Sequence, residues 1–171
     1  LYKSKNLCLS GGCALNSSAN GKIKENLKIE NVFIPYAPGD AGGAIGSALM
    51  VLNKKYSFNK FKNLQNPYLG PEYEKKYINN ILSKIPKGNY KIDFFDENTL
   101  CNLVAKKISN GSIVGWFQDR IEFGARALGN RSILADPRNP NMRDILNKKI
   151  KRRESFRPFA PSILSDKKNQ W

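Results

Sequence analysis

The segment from residue 115 to residue 138 constrains the fold of this chain more than any other. It opens with an apolar run after Gly115 and has a second apolar run before Asp136, and it holds three glycines, an Asn, a Ser and four of the eight arginines of the chain. Neither a plain helix nor a plain strand needs that mixture, whereas a loop that binds an anion does. The segment therefore predicts a strand end that opens into an anion-binding loop.

Arginine and lysine are divided unequally along the chain. The first 119 residues contain sixteen lysines and no arginine, and the eight arginines lie between Arg120 and Arg157. A planar guanidinium offers a fixed fork of donors that matches two phosphate or carboxylate oxygens, which a lysine ammonium cannot do. Alternatively, these arginines form surface ion pairs around a tight turn, with Glu122, Asp136 and Asp144 as partners.

The anion-site interpretation assigns a role to eight residues. The expected catalytic residues are Arg120, Arg126 and Arg131. The expected phosphate-binding residues are Gly124, Gly129, Asn130, Ser132 and Arg157. Glycine allows the backbone to approach a ligand and to adopt positive φ, and Arg157 is flanked by aromatic and proline residues that would hold it in place.

Composition sets wider limits on function. A length of 171 residues allows one domain or two small ones with a useful core, and the start at Leu1 rather than Met suggests a piece of a longer protein that lacks its N-terminal half. The net charge of +15 suggests an anionic partner, although lysines are spread over the whole chain. The absence of histidine excludes a Ser-His-Asp triad, a histidine base and a histidine-only metal site within these residues.

Cysteine and hydropathy patterns bear on location. The three cysteines have no metal-ligand spacing, so we expect free thiols in a reducing cytoplasm. No apolar run approaches the roughly 20 residues that a membrane span needs, so no membrane partner is expected.

The pattern along the chain predicts an α/β fold. Residues 7–10 are expected to form a short buried strand and residues 31–36 a second strand, each followed by a glycine-containing turn and a helix of small residues. A linker is predicted over residues 56–67, separating a domain over 1–55 from another over 68–171. In the second domain we expect a packing helix over 72–85, a strand over 90–94, a helix capped by Asp96, a buried strand over 113–117 and a helix capped by Asn141.

Residues 115–138, with Asn147 and the sequence from Arg153 to Leu164, resemble the C-terminal domain of the carbamoyltransferases of antibiotic and nodulation-factor biosynthesis. The resemblance implies a domain similar to threonylcarbamoyl-adenylate synthases, which would activate carbamoyl phosphate with ATP to carbamoyl-adenylate. Two departures stand out: the family usually has Gly in place of Asp119, which puts an acid beside the predicted phosphate site, and Pro in place of Ala125.

Residues 7–52 are similar to the end of the N-terminal domain of the same family, which belongs to the actin-like ATPase superfamily. The shared residues are Gly-Gly-x-Ala-Leu-Asn at positions 11–16 and Pro-Gly-Asp-x-Gly from position 38. The resemblance implies that Gly11, Gly12 and Asn16 contact the adenylate and that Asp40 is one ligand of an iron(II) ion. Read from the residues alone, Asp40 is equally well explained as a helix N-cap, and the glycine pair as a structural turn.

The resulting functional prediction is a fragment of an O-carbamoyltransferase that uses carbamoyl phosphate, ATP and a hydroxyl acceptor. One rival is a basic RNA-binding module, but the aromatics near the arginines lie in apolar, strand-like positions rather than interleaved with cations on an exposed face, so a nucleic-acid partner is not expected. The other rival is a catalytically silent assembly domain.

Overall fold

The computed structural model describes residues 4–56, 66–86, 88 and 90–170. It contains both helices and short strands, which confirms a mixed α/β chain. In chain order, the elements are β1 (Asn6–Cys8), a 3₁₀ turn (Gly12–Leu15), α1 (Ser17–Asn26), β2 (Asn31–Phe33), α2 (Asp40–Tyr56), α3 (Lys75–Lys84), α4 (Glu97–Ser109), β3 (Val114–Phe117), β4 (Arg131–Leu134), α5 (Met142–Ile145), a π-helix (Leu146–Lys151) and a 3₁₀ helix (Ser165–Gln170).

Strands β1 and β2 pair in parallel, with α1 between them in the chain. Leu7 lies opposite Val32, and the pairing extends beyond the strands through a 2.9 Å hydrogen bond from the Leu9 N–H to the Phe33 carbonyl oxygen. Both strands are shorter than predicted and only half-buried, and Cys8 is exposed. The predicted strand-helix-strand order is therefore confirmed, whereas the prediction that the first strand is buried is wrong.

Helix α2 explains the small residues that follow residue 40. A Cβ atom on Gly42 would overlap the carbonyl oxygen of Ala37, which is buried. Only glycine permits this close approach between the first turn of α2 and the segment that precedes it.

Helix α3 forms where the apolar periodicity predicted a helix, but it is not a packing helix. Four large apolar side chains of its stripe are 42–51% exposed: Tyr77, Ile78, Ile81 and Ile85. Tyr73 stacks on Tyr77 with the ring centroids 5.3 Å apart. The periodicity was sufficient to predict the helix, but within the described residues nothing buries its apolar face.

The strand predicted over residues 90–94 does not form. An alternating pattern makes a strand only when a neighbouring strand satisfies its backbone, and among the described residues none pairs with this segment. The Tyr90 hydroxyl instead donates to the carbonyl oxygens of Ile85 and Pro86, at 3.0 and 2.7 Å. The next element, α4, is confirmed: Asp96 caps it by accepting the Thr99 N–H at 3.0 Å, and Gly111 follows its end with φ of +86°.

The chain divides into two compact units that are not contiguous in sequence. One contains residues 1–90 and 116–132, and the other contains residues 91–115 and 133–171. Strands β3 and β4 pair in a second two-stranded sheet, and the chain passes from one unit to the other within each of them. The predicted linker at 56–67 falls mostly on residues outside the described part, so the predicted domain boundary stays a prediction.

In the second unit, α5 continues directly into the π-helix. The prediction of one regular helix after Asn141 is wrong, because the hydrogen-bonding pattern widens at Leu146. Asn141 occupies the N-cap position but makes no side-chain capping bond. The π-helix ends at Arg152, which has a left-handed φ of 47°.

Buried apolar side chains are few. Among the described residues they are Ala14 and Ala37 in the first unit and Met142 and Leu146 in the second. The expectation of a useful core is therefore not met within this part of the chain. No helix in the described ranges is long and apolar enough to cross a membrane.

Candidate functional site

The loop between β3 and β4, residues 118–130, is called the arginine loop below, and Arg131 opens β4 directly after it. Three backbone hydrogen bonds tie the loop to the segment before α3. The Phe123 N–H donates to the Pro67 carbonyl at 2.7 Å, the Gly70 N–H donates to the Ile121 carbonyl at 2.9 Å, and the Ile121 N–H donates to the Pro71 carbonyl at 3.3 Å. The loop is therefore anchored at its N-terminal half.

Glu122 organises the other half of the loop. Its side chain is fully buried, and Oε1 accepts the backbone N–H groups of Leu128, Asn130 and Arg131 at 2.8, 2.8 and 3.2 Å. Burial raises the pKa of Glu122, but these donors outweigh it and the pKa is lowered overall. The carboxylate is thus charged at neutral pH, and it closes the loop on itself.

Each predicted catalytic arginine has a partner within the protein. Arg131 Nε lies 3.5 Å from Glu122 Oε2 and its Nη2 donates to the Gly124 carbonyl at 2.9 Å. Arg126 Nη2 donates to the Leu15 carbonyl at 2.6 Å. The structure thus places Arg126 in the anchored loop and Arg131 directly after it at the start of β4, and their convergence on a common anion stays a prediction.

Arg120 is oriented differently from the other two. Its Nε lies 3.3 Å from an oxygen of Glu72, and both side chains are more than half exposed. A pair this exposed contributes little to stability, so the guanidinium can exchange its partner at small cost. The ion-pair alternative named other acids, and those pairs form: Arg131 with Glu122, Arg138 with Asp136 and Arg143 with Asp144, at 3.5, 2.7 and 3.3 Å. Glu122 and Asp136 are buried, however, so these two pairs are not surface pairs.

The two glycines of the loop have the predicted left-handed backbone, with φ of 118° at Gly124 and 119° at Gly129. A Cβ on Gly124 would lie 3.0 Å from the Tyr36 carbonyl oxygen and 3.1 Å from Ala37 Cβ. The ring of Tyr36 also meets that of Phe123 edge to face, with the centroids 6.4 Å apart. Gly124 therefore allows the loop to approach protein backbone, a requirement that the sequence interpretation had assigned to ligand.

Asn130 is an internal strut of the loop. It is buried, its Nδ2 donates to the Arg120 carbonyl at 2.7 Å, and its Oδ1 accepts from Gln118 Nε2 at 3.3 Å. Both ends of the carboxamide are thus occupied within the loop, whereas Ser132 is half-buried in β4. One N–H of Asn130 Nδ2 remains beyond these bonds, on a side chain that is buried.

The glycine turn after β1 is fixed to the segment before α2. The Gly11 N–H donates to the Pro38 carbonyl at 2.6 Å, and Gly11 has φ of 92°. Asn16 caps α1 by accepting the Ala19 N–H at 3.1 Å. The Gly11 N–H and the Asn16 carboxamide oxygen are thus already bonded, while the N–H of Gly12 is not among these internal bonds.

A cavity of about 320 Å³ lies where the predicted motifs meet. Its lining includes Gly12 and Leu15 of the glycine turn, Asp40 at the start of α2, and Ala125 of the arginine loop. Because Arg126 contacts Leu15, the loop closes one side of this space. The structure therefore brings together the glycine turn, the start of α2 and the arginine loop, although Ala125 lies more than 80 positions after the lining residues of the other two.

Asp40 is the first residue of α2 and its side chain is exposed. Its carboxylate accepts no hydrogen bond from the described residues, so the N-cap interpretation is not supported there. In the same ranges no group of three or more Cys, Asp or Glu side chains could hold a metal ion, and the chain has no histidine. One carboxylate is too few ligands for an iron site, so the roles derived for these residues do not involve iron.

Arg157 lies in the other unit and pairs with Glu154, its Nε donating to a carboxylate oxygen at 2.9 Å. Both side chains are more than half exposed, and Phe156 beside them is 75% exposed. The predicted clamping of Arg157 by its aromatic neighbours is therefore wrong. Hydrogen bonds from another part of this unit hold the backbone around Arg157.

Asn147 holds that segment, and sequence reasoning gave it no role. It is completely buried in the π-helix; its Nδ2 donates to the carbonyls of Ser155 and Arg157 at 3.2 and 2.9 Å, and its Oδ1 accepts from Arg153 Nε at 2.7 Å. The Arg153 guanidinium also lies 4.9 Å from the ring centroid of Phe159. The signal available in the sequence was Asn147 itself, a single polar residue at a helical position where an apolar residue is expected.

The backbone conformation of Asp119 suits the glycine that the resemblance leads us to expect at this position. It has φ of +48°, a conformation that glycine adopts freely and that costs other L-residues about 1–2 kcal/mol. Replacing Asp119 by Gly should raise the free energy of unfolding by about 0.5–1 kcal/mol, because the relief of strain exceeds the entropy cost of glycine. Thermal denaturation of the full-length protein measures this. The control Asp119→Ala keeps the Cβ and should not stabilise; equal effects of the two variants would refute the strain argument.

The fold and the site define a mixed α/β protein whose arginine-rich loop is anchored on a glycine turn. Residues 1–49 match the family description "Carbamoyltransferase N-terminus" and residues 105–171 match "Carbamoyltransferase C-terminus", which together cover more than half of the chain. The chain belongs to the carbamoyltransferase family, as the resemblance predicted.

Similar proteins agree with this assignment. The chain is 47% identical to an uncharacterised protein of Synechocystis over 95% of its own length and 27% of that protein's. It is 40% identical to nodulation protein NolO of Bradyrhizobium diazoefficiens over 94% of its length and 29% of NolO, and 38% identical to nodulation protein NolNO of Sinorhizobium fredii over 98% and 24%. The chain thus spans about a quarter of the length of these relatives.

Proposed function

We propose that this chain is part of an O-carbamoyltransferase that converts carbamoyl phosphate and ATP to carbamoyl-adenylate and then transfers the carbamoyl group to a hydroxyl of a small-molecule or sugar acceptor, releasing AMP and the hydroxyl proton. Atom balance in the first step requires one water and releases pyrophosphate and phosphate. We further propose that residues 1–55 end an actin-like domain, that residues 68–171 begin a threonylcarbamoyl-adenylate-synthase-like domain, and that the reaction takes place in the cytoplasm.

One observation carries this proposal: the arginine loop lies against the glycine turn. Arg126 donates to the Leu15 carbonyl, and Ala125 shares a cavity with Gly12 and Asp40. An arrangement of this kind places guanidinium groups next to backbone N–H groups, and both are donors suited to phosphate oxygens.

The role of this chain in the reaction is positioning and charge neutralisation. Arg126 and Arg131 would hold phosphate oxygens through the N–H groups that their internal partners leave free, as negative charge moves during adenylyl transfer. The proposed chemistry needs no covalent nucleophile from these residues. The acceptor hydroxyl would bind through parts of the protein outside this chain.

Ligand protection tests the proposal against the RNA-binding alternative. In the full-length protein, carbamoyl phosphate or ATP should raise the melting temperature at lower relative concentration than mixed-sequence RNA, because a compact loop fits a small anion. At a hundredfold excess over Kd the ligand contributes about 2.7 kcal/mol. Pyrophosphate release with both substrates present is the accompanying activity measurement. Protection by RNA alone, falling steeply with salt, would favour the alternative.

A further inference from the structure

Glu122 makes contacts that join the two ends of the arginine loop. Its Oε1 collects three backbone N–H groups between Leu128 and Arg131, whereas Oε2 has no hydrogen-bond donor among the described residues and faces Arg131 Nε at 3.5 Å. A fully buried carboxylate is costly unless it is hydrogen-bonded and paired. Here the three bonds stabilise the charge, and the single cation beside Oε2 is the arginine itself.

The same contacts fix the orientation of the Arg131 guanidinium. Nε is directed at Glu122 and Nη2 donates to the Gly124 carbonyl, so two of the five N–H groups point into the loop. Three N–H groups remain, two on Nη1 and one on Nη2. Because the Arg131 side chain is 44% exposed, solvent and ligand have access to it.

We propose that Glu122 is a positioning residue, which acts through Arg131 by holding its guanidinium so that the Nη1 edge is presented to the phosphate group of the ligand. This inference rests on the proposed binding of carbamoyl phosphate by the arginine loop. It assigns a task to a carboxylate that would otherwise repel the substrate. Because Glu122 is buried, its negative charge does not contact the ligand. Glu122 acts on the ligand only by orienting the Arg131 guanidinium.

A double-mutant cycle in the full-length protein tests the coupling. Glu122→Gln keeps the side-chain shape and one acceptor for the backbone N–H groups, but its amide NH₂ opposes Arg131 Nε donor to donor. Binding of carbamoyl phosphate and of inorganic phosphate is measured by titration calorimetry for the wild type, E122Q, R131K and the double variant. The matched control is Glu97→Gln, the same chemical change at an exposed position in α4.

We expect E122Q to weaken carbamoyl phosphate binding about tenfold in the wild-type background and less than about twofold in the R131K background, because residues that act as one unit are not additive. E97Q should bind as the wild type does. Equal losses in both backgrounds would show that Glu122 only stabilises the fold, and no loss in either would remove it from the site altogether.

Two further outcomes are informative. If the wild type binds neither carbamoyl phosphate nor inorganic phosphate, the proposed function fails, and this inference fails with it. If the wild type binds and only the coupling is absent, the inference alone fails. Should E122Q melt too low to measure, Glu122→Asp replaces it in the same cycle, since its shorter side chain cannot reach the backbone N–H groups and Arg131 together; additivity there overturns the proposal equally.

Discussion

Replacing Arg126 or Arg131 by Lys is expected to lower ligand affinity and adenylation by ten- to a hundredfold. Lysine keeps the charge and loses the fork, so the penalty is that of one charge-assisted hydrogen bond, about 1.5–3 kcal/mol. Pyrophosphate release by the full-length protein with carbamoyl phosphate and ATP is the measurement.

The melting temperature separates this loss from unfolding. Both side chains are exposed, and their partners are backbone carbonyls and one long ion pair, so fold stability should change little. Arg143→Lys is the matched control, because Arg143 is also exposed and its guanidinium contacts its neighbour Asp144. Full adenylation in R126K and R131K, or a collapse of their melting temperature, would mean that these arginines serve the fold alone.

Replacing Asn147 by Ala is expected to destabilise the second unit by about 2–4 kcal/mol. The substitution removes two donors to backbone carbonyls and the acceptor for Arg153 Nε, and it leaves a void at a position with no solvent exposure. Denaturant unfolding of the full-length protein, followed by hydrogen exchange of residues 152–157, measures both the global and the local effect.

Asn102→Ala is the comparison for that experiment, because Asn102 is exposed on α4 and the same change there should alter stability by less than about 0.5 kcal/mol. If N147A is as mild as N102A, the buried hydrogen bonds of Asn147 are replaced by solvent at no cost and the π-helix is not held by them.

Local signals in the sequence predicted much of the fold. Asp96 capping α4 and Gly111 ending it follow from short-range hydrogen bonding and backbone sterics. The strand predicted at residues 90–94 failed because pairing depends on a distant partner that a period of two does not reveal. The widening of the helix at Leu146 could not be predicted either, since it accompanies the tertiary bonds of Asn147.

The candidate site was predicted in composition but not in connectivity. The sequence singled out arginines and glycines in one loop and a glycine turn far upstream, which the structure brings together; their roles in binding stay predictions. It did not reveal that Gly124 packs on Tyr36 or that Glu122 is buried, because burial of a carboxylate depends on N–H groups that converge only after folding. Glu122 is an acidic residue among arginines, and this indicated an ion pair. From the sequence, however, that pair was expected on the surface.

The contact between Arg126 and Leu15 has a consequence for synthesis on the ribosome. The two residues are 111 positions apart, so the first unit cannot close until the chain has grown past Arg126. At 5–20 residues per second, this takes on the order of 6–20 s. During that interval β1 and the glycine turn, and α2 once it has been synthesised, lack the loop that covers one side of their cavity. The nascent chain must stay folded or bind a chaperone until the loop has been synthesised.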